Sequence, residues 1–253
     1  MRVFITGASS GIGAALAAHY AARGARLGLV ARRAETLAEV GRKLPGEPVL
    51  YAADVADARA MQDAARDFMA RFGVPDIVIA NAGVSVGTLT EHAEDIAVFG
   101  RVLQTNVLGL AATFHPFVAP MREAGSGRLA GIASVAGVRG IPGAGAYSAS
   151  KAAAIAYLEA LRVELRPSGV RVVTVCPGYV ATPMTAVNRY RMPFILPADV
   201  AARRIARVID AGRAYAVVPW QMALVARTMR LLPNAVYDRL FRRAGRKPRG
   251  LKL

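Results

Sequence analysis

RVFITGASSGIGAALAAHYA, Arg2 to Ala21, decides how the rest of this chain reads. An apolar, β-branched run stops at a glycine-rich turn and passes at once into alanine-rich sequence of helical composition. Strand, turn and helix in immediate succession open a βαβ unit. Gly7, Gly11 and Gly13 remove side chains where a backbone must approach a pyrophosphate, and Ser9, Ser10 and Ile12 belong to the same cradle, where N–H groups at a helix terminus point at the anion. The spacing is G-x-x-x-G-x-G rather than the commoner dinucleotide fingerprint. Position directly after the first strand therefore carries the reading, and a plain tight turn is the alternative.

Outward from this unit the pattern repeats. RLGLVA, PVLYAA, DIVIA, GRLAGIAS, VRVVTVC and YAVV alternate with stretches of helix length, expected at Gly11 to Arg23, Ala34 to Leu44, Asp57 to Phe72, a long helix ending near Arg122, Tyr147 to Arg166 and Pro197 to Ala211. Several strand candidates are apolar throughout, as expected when helices cover both sheet faces. The expected fold class is α/β: one doubly wound domain with a parallel sheet of about seven strands and helices on both faces. Two long loops, Asn81 to Glu94 and Pro177 to Leu196, fall beyond strand ends, where ligands bind in such folds.

With 253 residues and 54% of them apolar, the chain can bury a large core, which excludes disorder as its main state. Its net charge of +16 suits a polyanionic ligand, an anionic membrane surface or nucleic acid. The single cysteine, Cys176, excludes an internal disulfide framework and sits in an apolar strand as an inert thiol. The opening lacks the basic, apolar and small-residue order of a secretory signal, so the expected location is the cytoplasm. His19, His92 and His115 have no spacing suited to a metal site, and none is expected.

The second strand ends LGLVARR. Many NAD-binding sites offer the adenosine ribose a carboxylate here, whereas this chain offers Arg32 and Arg33, which suit a 2'-phosphate; two arginines on a solvated loop are the alternative. Arg32, nearer the strand, is the first choice. After the third strand Asp54 and Val55 stand at the sheet edge, where Asp54 can meet an adenine amino group or cap the next helix. Asn81, Ala82 and Gly83 form a small turn past which a cofactor can run.

AYSASKAAA, Ala146 to Ala154, sets Tyr147 and Lys151 at i and i+4 on one helical face. A neighbouring ammonium favours the ionised phenol, so Lys151 is expected to lower the pKa of Tyr147 towards a working range. Ser134, at the end of the fifth strand, can hydrogen-bond a substrate carbonyl or serve only to shape the loop. Asn106, polar in the apolar LQTNVLG, is either functional or a buried amide repairing a backbone break.

Together TGASSGIG, the DV pair, NAG, Asn106, Ser134, Tyr147 with Lys151, and CPG resemble the short-chain dehydrogenase/reductase family in order and spacing, from Val3 to about Ala211. The resemblance implies a Rossmann fold, a nicotinamide cofactor and a catalytic tetrad of Asn106, Ser134, Tyr147 and Lys151. In it Tyr147 exchanges the proton with the substrate oxygen, Ser134 holds that oxygen, Lys151 also binds the nicotinamide ribose, and Asn106 helps anchor a water that joins the lysine to solvent. Pro177, Gly178, Val180 and Thr182 match the family segment that meets the nicotinamide carboxamide. With Arg32 and Arg33, the expected cofactor is NADP(H) rather than NAD(H), and the expected assembly is a homodimer or homotetramer.

Residues 1–218 are thus read as the catalytic domain and 219–253 as a basic C-terminal extension. In the extension NAVYDRLFRRAGRKPRG is expected to form one amphipathic helix, with Val236, Tyr237, Leu240 and Phe241 on one side and arginines on the other. Such a helix can rest on an anionic bilayer, pack over the substrate loop or meet another subunit; no nucleic-acid recognition element accompanies the charge. The expected activity is NADP(H)-dependent interconversion of a carbonyl and a secondary alcohol on a lipophilic substrate, from Val84, Val86, Leu89, Val138, Ile141, Pro142, Met184 and Phe194 near the long loops. Reduction of a 3-oxoacyl thioester on an acyl carrier is the alternative within the class. A non-catalytic NADP(H)-binding redox sensor or membrane-surface scaffold is the alternative outside it.

Overall fold

The computed structural model describes residues 1–242 and 244–250. Strand β1 (Arg2–Thr6) turns at the glycines into α1 (Gly11–Ala21), followed by β2 (Arg26–Ala31), α2 (Ala34–Arg42), β3 (Val49–Ala52) and α3 (Ala58–Phe72). The chain continues through β4 (Ile77–Ala80), α4 (Glu94–Leu103), α5 (Gly109–Glu123), β5 (Arg128–Ile132), α6 (Gly145–Leu165) and β6 (Arg171–Pro177). A short excursion follows, β7 (Val180–Ala181), α7 (Pro183–Ala186) and β8 (Leu196–Pro197), before α8 (Ala198–Asp210) and β9 (Tyr215–Val218). Helices α9 (Trp220–Leu231) and α10 (Asn234–Phe241) complete the described elements.

The main sheet has seven strands in the order β3-β2-β1-β4-β5-β6-β9, all pairings being parallel. Chain order reverses between β1 and β4, so the loops after these strands diverge and leave a crevice at their carboxyl ends. Two apolar cores cover the two faces. On one, Leu16, Ala17 and Tyr20 of α1 pack with Ile205 and Ile209 of α8 against Val3, Ile5 and Ile77. On the other, Phe68, Phe114, Phe117 and Leu158 from α3, α5 and α6 cover Phe4, Val78 and Leu129.

Local chemistry sets several boundaries. Asp57 caps α3 by accepting from the backbone N–H groups of Arg59 and Ala60, both at 3.0 Å. The alternative of Asp54 as that cap is therefore corrected: its Oδ1 accepts from Ala56 N at 3.0 Å, closing a turn before the helix. Between α4 and α5 lies a π-helical turn, Gln104–Leu108, whose extra residue per turn directs the buried Asn106 inward.

The C-terminal expectation also needs correction. Helix stops at Phe241, and residues 244–250 have no helical structure. Tyr237 is buried and stacks on Phe241 with ring centroids 4.3 Å apart, while Leu240 is 61% exposed, so the expected apolar face is split. Tertiary contacts win over periodicity here: the Arg139 guanidinium lies 3.9 Å from the Tyr237 ring centroid, and Tyr237 donates its hydroxyl proton to the Gly140 carbonyl. Arg243, part of the expected helix, and residues 251–253 lie outside the described residues.

Candidate active site

The β1–α1 turn is built so that backbone fills the space a side chain would take. Gly7 has φ of +68°, and a Cβ there would press on Ala82 Cα at 2.7 Å. A Cβ on Gly13 would collide with the Gly7 carbonyl. Thr6 ties this turn to the next loop, its Oγ1 accepting from Asn81 N and Ala82 N, both at 3.2 Å. Asn81 answers by donating from Nδ2 to the carbonyls of Thr6 at 3.0 Å and Gly7 at 3.3 Å.

The crevice between these loops is a cleft of about 690 Å³. It is lined at one end by Gly7, Ser9, Ser10, Gly11 and Ile12, with Arg32, Arg33, Asp54 and Val55 beside them. Arg33 donates from Nη2 to the hydroxyls of Ser9 and Ser10, both at 3.2 Å, which folds its guanidinium over the cradle. Arg32 reaches Asp54 at 3.7 Å, with both side chains more than a third exposed. The two arginines thus divide the space: one over the glycine turn, the other at the Asp54 rim.

At the other end of the cleft stand Ser134, Tyr147 and Lys151, with Gly83, Pro177, Gly178, Val180 and Thr182 along the wall. Helix α6 brings Tyr147 and Lys151 onto one face, the lysine Nζ being 5.8 Å from the tyrosine ring centroid. Burial pushes the Tyr147 phenol above its ordinary value, and a hydrogen bond with the Ser134 side chain draws it the other way. Lys151 donates to the Ile132 carbonyl at 2.8 Å, and burial draws it down to about 8. The expectation that the ammonium lowers the phenol is corrected by these surroundings: desolvation is the largest influence on both groups and raises the phenol while lowering the ammonium.

Asn106 and Gly13 do not line the cleft. Gly13 lies behind the Gly7 carbonyl, and Asn106 stands behind Gly83, where a Cβ would meet Asn106 Oδ1 at 3.2 Å and Lys151 Nζ at 3.5 Å. The Asn106 amide accepts from Val84 N at 2.8 Å and donates to Val84 O and Ser150 Oγ, both at 2.9 Å. Ser150 in turn donates to the Tyr147 carbonyl at 2.7 Å. Sequence reasoning missed Ser150, although it stands inside AYSASK between Tyr147 and Lys151. It also missed Thr6 and the cleft-lining Thr185. Of the apolar residues expected around a substrate, Val84 and Met184 line the cleft, whereas Val86 is buried in a core with Val102 and Ala146.

The residues present fit a nicotinamide dinucleotide. A cradle that a Cβ would fill and N–H groups at the α1 terminus match its pyrophosphate, with two guanidinium groups in the same cleft.

A doubly wound parallel sheet with a glycine-lined switch-point cleft, ending at a half-buried tyrosine and a buried lysine one helical turn apart, defines a nicotinamide-dependent oxidoreductase. Residues 1–192 match the family described as short chain dehydrogenase, and the chain belongs to that family. It acts on CH–OH or C=O groups of small molecules. It is 39% identical to an uncharacterized oxidoreductase of Myxococcus xanthus over 94% of this chain and 95% of that one. It is 34% identical to the 11-beta-hydroxysteroid dehydrogenase-like 2 of Arabidopsis thaliana, covering 86% of this chain and 73% of that one. Among solved structures, a 3-ketoacyl-ACP reductase from Sinorhizobium meliloti superposes with a TM-score of 0.78 at 28% identity, over 89% of this chain and 100% of that one.

Proposed function

We propose that the chain is an NADPH-dependent reductase that converts a carbonyl to a secondary alcohol, and runs in reverse, on a substrate with a lipophilic body. The observation that carries this reading is a half-buried Tyr147 beside Ser134 and one helical turn from Lys151, at the end of a cleft whose other end presents Arg32 and Arg33. In reduction Tyr147 gives its phenolic proton to the substrate oxygen, and in oxidation the phenolate takes one back. A phenol held above its ordinary value is in the form that donation requires at neutral pH. Ser134 hydrogen-bonds the same oxygen and fixes the carbonyl. Lys151 binds the ribose next to the nicotinamide, while Asn106, through Val84 and Ser150, holds the backbone behind both groups in place. When bound, the cofactor supplies the hydride that reaches the carbonyl carbon.

Arg33, with the hydroxyls of Ser9 and Ser10, and Arg32 together receive the 2'-phosphate, which gives the preference for NADP(H) over NAD(H). Residues 1–218 carry this chemistry and 219–253 form the extension. Purified protein with NADPH and a panel of ketones, aldehydes and acyl thioesters tests the reading: oxidation of NADPH with one of them supports it, and cofactor binding without turnover favours the redox-sensor alternative.

Reduction of 3-oxoacyl thioesters is the second reading. It is supported by the likeness to the S. meliloti structure and by a net charge of +16, which suits an acidic carrier. The outer face of α9 supports contact with an anionic membrane, because Trp220, Leu224 and Leu231 are 66%, 60% and 74% exposed beside Arg227 and Arg230.

A further inference from the structure

Residues 244–250 run back across the loops that flank the reacting end of the cleft. Gly87 donates its N–H to the Pro248 carbonyl at 2.9 Å, and a side chain at Gly87 would strike the Lys247 carbonyl. Gly143, four residues before Tyr147, lies under the aliphatic carbons of Arg246, and Gly245 sits on the Tyr190 ring. Glycines at all these contacts let the segment lie flat against the loops. Arg249 fastens it, with Nε 2.7 Å from Asp95 Oδ2 and Nη2 2.9 Å from Glu94 Oε1.

Beneath this strap Lys247 is 8% exposed. Its Nζ donates to the carbonyl of Met184 at 2.8 Å, and Met184 lines the cleft next to Pro183 and Thr185, so the ammonium stands directly behind that stretch of wall rather than in it. An ammonium has three protons to donate, and this is its one hydrogen bond among the described residues. No carboxylate among the described residues pairs with it, Glu94 and Asp95 being engaged by Arg249. Burying a cation without a counter-ion is unfavourable, and burial accordingly draws Lys247 down to about 8. Arg189 and Arg191 flank Tyr190, so the rim around the strap is basic as well.

We propose that Lys247 is a specificity-determining residue of the substrate chamber, its ammonium receiving an anionic group, a carboxylate, sulfonate or phosphate, at the end of the substrate away from the carbonyl. The proposal rests on the carbonyl-reductase reading and refines it: the substrate is an amphiphile with an apolar body and an oxyanion end. Arg249, neutralised by two carboxylates, serves as a latch, which leaves Lys247 as the buried cation that can select by charge.

The test uses the full chain as wild type, Lys247→Met and Lys247→Arg, with a straight-chain keto carboxylate and its methyl ester. Wild type is expected to favour the carboxylate in kcat/KM by about tenfold or more, the range of a charge-assisted hydrogen bond. Lys247→Met should remove that preference while changing the ester by less than about threefold, and Lys247→Arg should keep most of it. Equal losses on acid and ester in Lys247→Met would overturn the proposal and leave Lys247 as a fastening for the segment. Calorimetric binding of the same two compounds in the presence of NADP+, which holds no hydride to transfer, separates this inference from the reading beneath it. Tighter binding of the acid that depends on Lys247, without any NADPH oxidation, would uphold the lysine and reject the reductase; no difference between acid and ester would reject the lysine. Sulfonate and phosphate analogues then show which oxyanion gains most.

Discussion

The Lys151 ammonium donates to the carbonyl of Ile132 at 2.8 Å, nineteen residues earlier at the end of β5. That bond points a buried cation at the reacting end of the cleft, at a cost to the fold.

Lys151 is drawn from its ordinary value of 10.5 to about 8 by burial, so between these values the unfolded chain binds more protons than the native one. Stability from this group therefore rises with pH through that window, and below about 8 the native state carries the full cost of the buried charge. Lys151→Met should raise Tm at pH 7, by about 2–4 °C per kcal/mol recovered, while abolishing turnover. Calorimetric melting across pH 7 to 10 checks this, and the advantage of the variant should shrink towards the alkaline end. An advantage that does not change with pH would contradict it.

Tyr147→Phe should lower kcat by about 10²- to 10⁴-fold, the usual share of general acid–base catalysis, with NADPH affinity nearly unchanged. Since burial raises the phenol, alcohol oxidation by wild type should still be accelerating at the alkaline end of the range, where carbonyl reduction falls. Initial rates in both directions over pH 6 to 11 read this. Full activity in the phenylalanine variant would reject Tyr147 as the proton donor.

Arg33→Ala removes a guanidinium that donates to two serine hydroxyls at 3.2 Å, and Arg32→Ala one that leans on Asp54. Each should weaken NADPH by about tenfold to a hundredfold, as for a lost charge-assisted hydrogen bond, and leave NADH within about twofold. Fluorescence titration with both cofactors measures it. An unchanged NADPH preference in both variants would place the phosphate contact elsewhere.

Ser150→Ala deprives the Asn106 amide and the Tyr147 carbonyl of one partner each. The expected loss is about 1–3 kcal/mol of stability, read as a lower Tm, together with a reduced kcat at near-normal KM because the reacting helix is less well held.

Arg139→Ala removes hydrogen bonds to the carbonyls of Met229 and Leu232, at 2.5 and 2.7 Å, and the guanidinium above Tyr237. Helices α9 and α10 should then open locally, and limited proteolysis should cut beyond residue 219 faster than in wild type at the same cofactor affinity. Unchanged cleavage would show that apolar packing of Met222, Ala226 and Met229 is sufficient.

Much of this molecule is legible in its amino-acid order alone. The seven strands stand where the apolar runs place them, because a parallel sheet covered on both faces leaves an uninterrupted hydrophobic signature. Gly7 is legible because only a residue without a side chain tolerates both its φ and the approach of Ala82. Helical spacing likewise places Tyr147 beside Lys151. Each of these leaves a local mark on the sequence, an apolar run, a glycine or an i, i+4 spacing, even where the contact it serves lies far along the chain.

Contacts across long stretches of chain are not legible in that way. Asn106 reaches Ser150 through a π-helical turn that no local pattern announces, and the upward shift of Tyr147 and downward shift of Lys151 come from burial by several separate elements. Periodicity continues the last helix through residues that instead lie across Gly87 and Gly143, because Arg249 finds Asp95 154 residues away. Order along the chain determined the sheet, the phosphate cradle and the proton-transfer pair, since backbone sterics and hydrophobic periodicity act locally. Which charges stay dry, and which segment lies across Gly87 and Gly143, depended on desolvation and ion pairing between distant parts, and those exist only once the chain has folded.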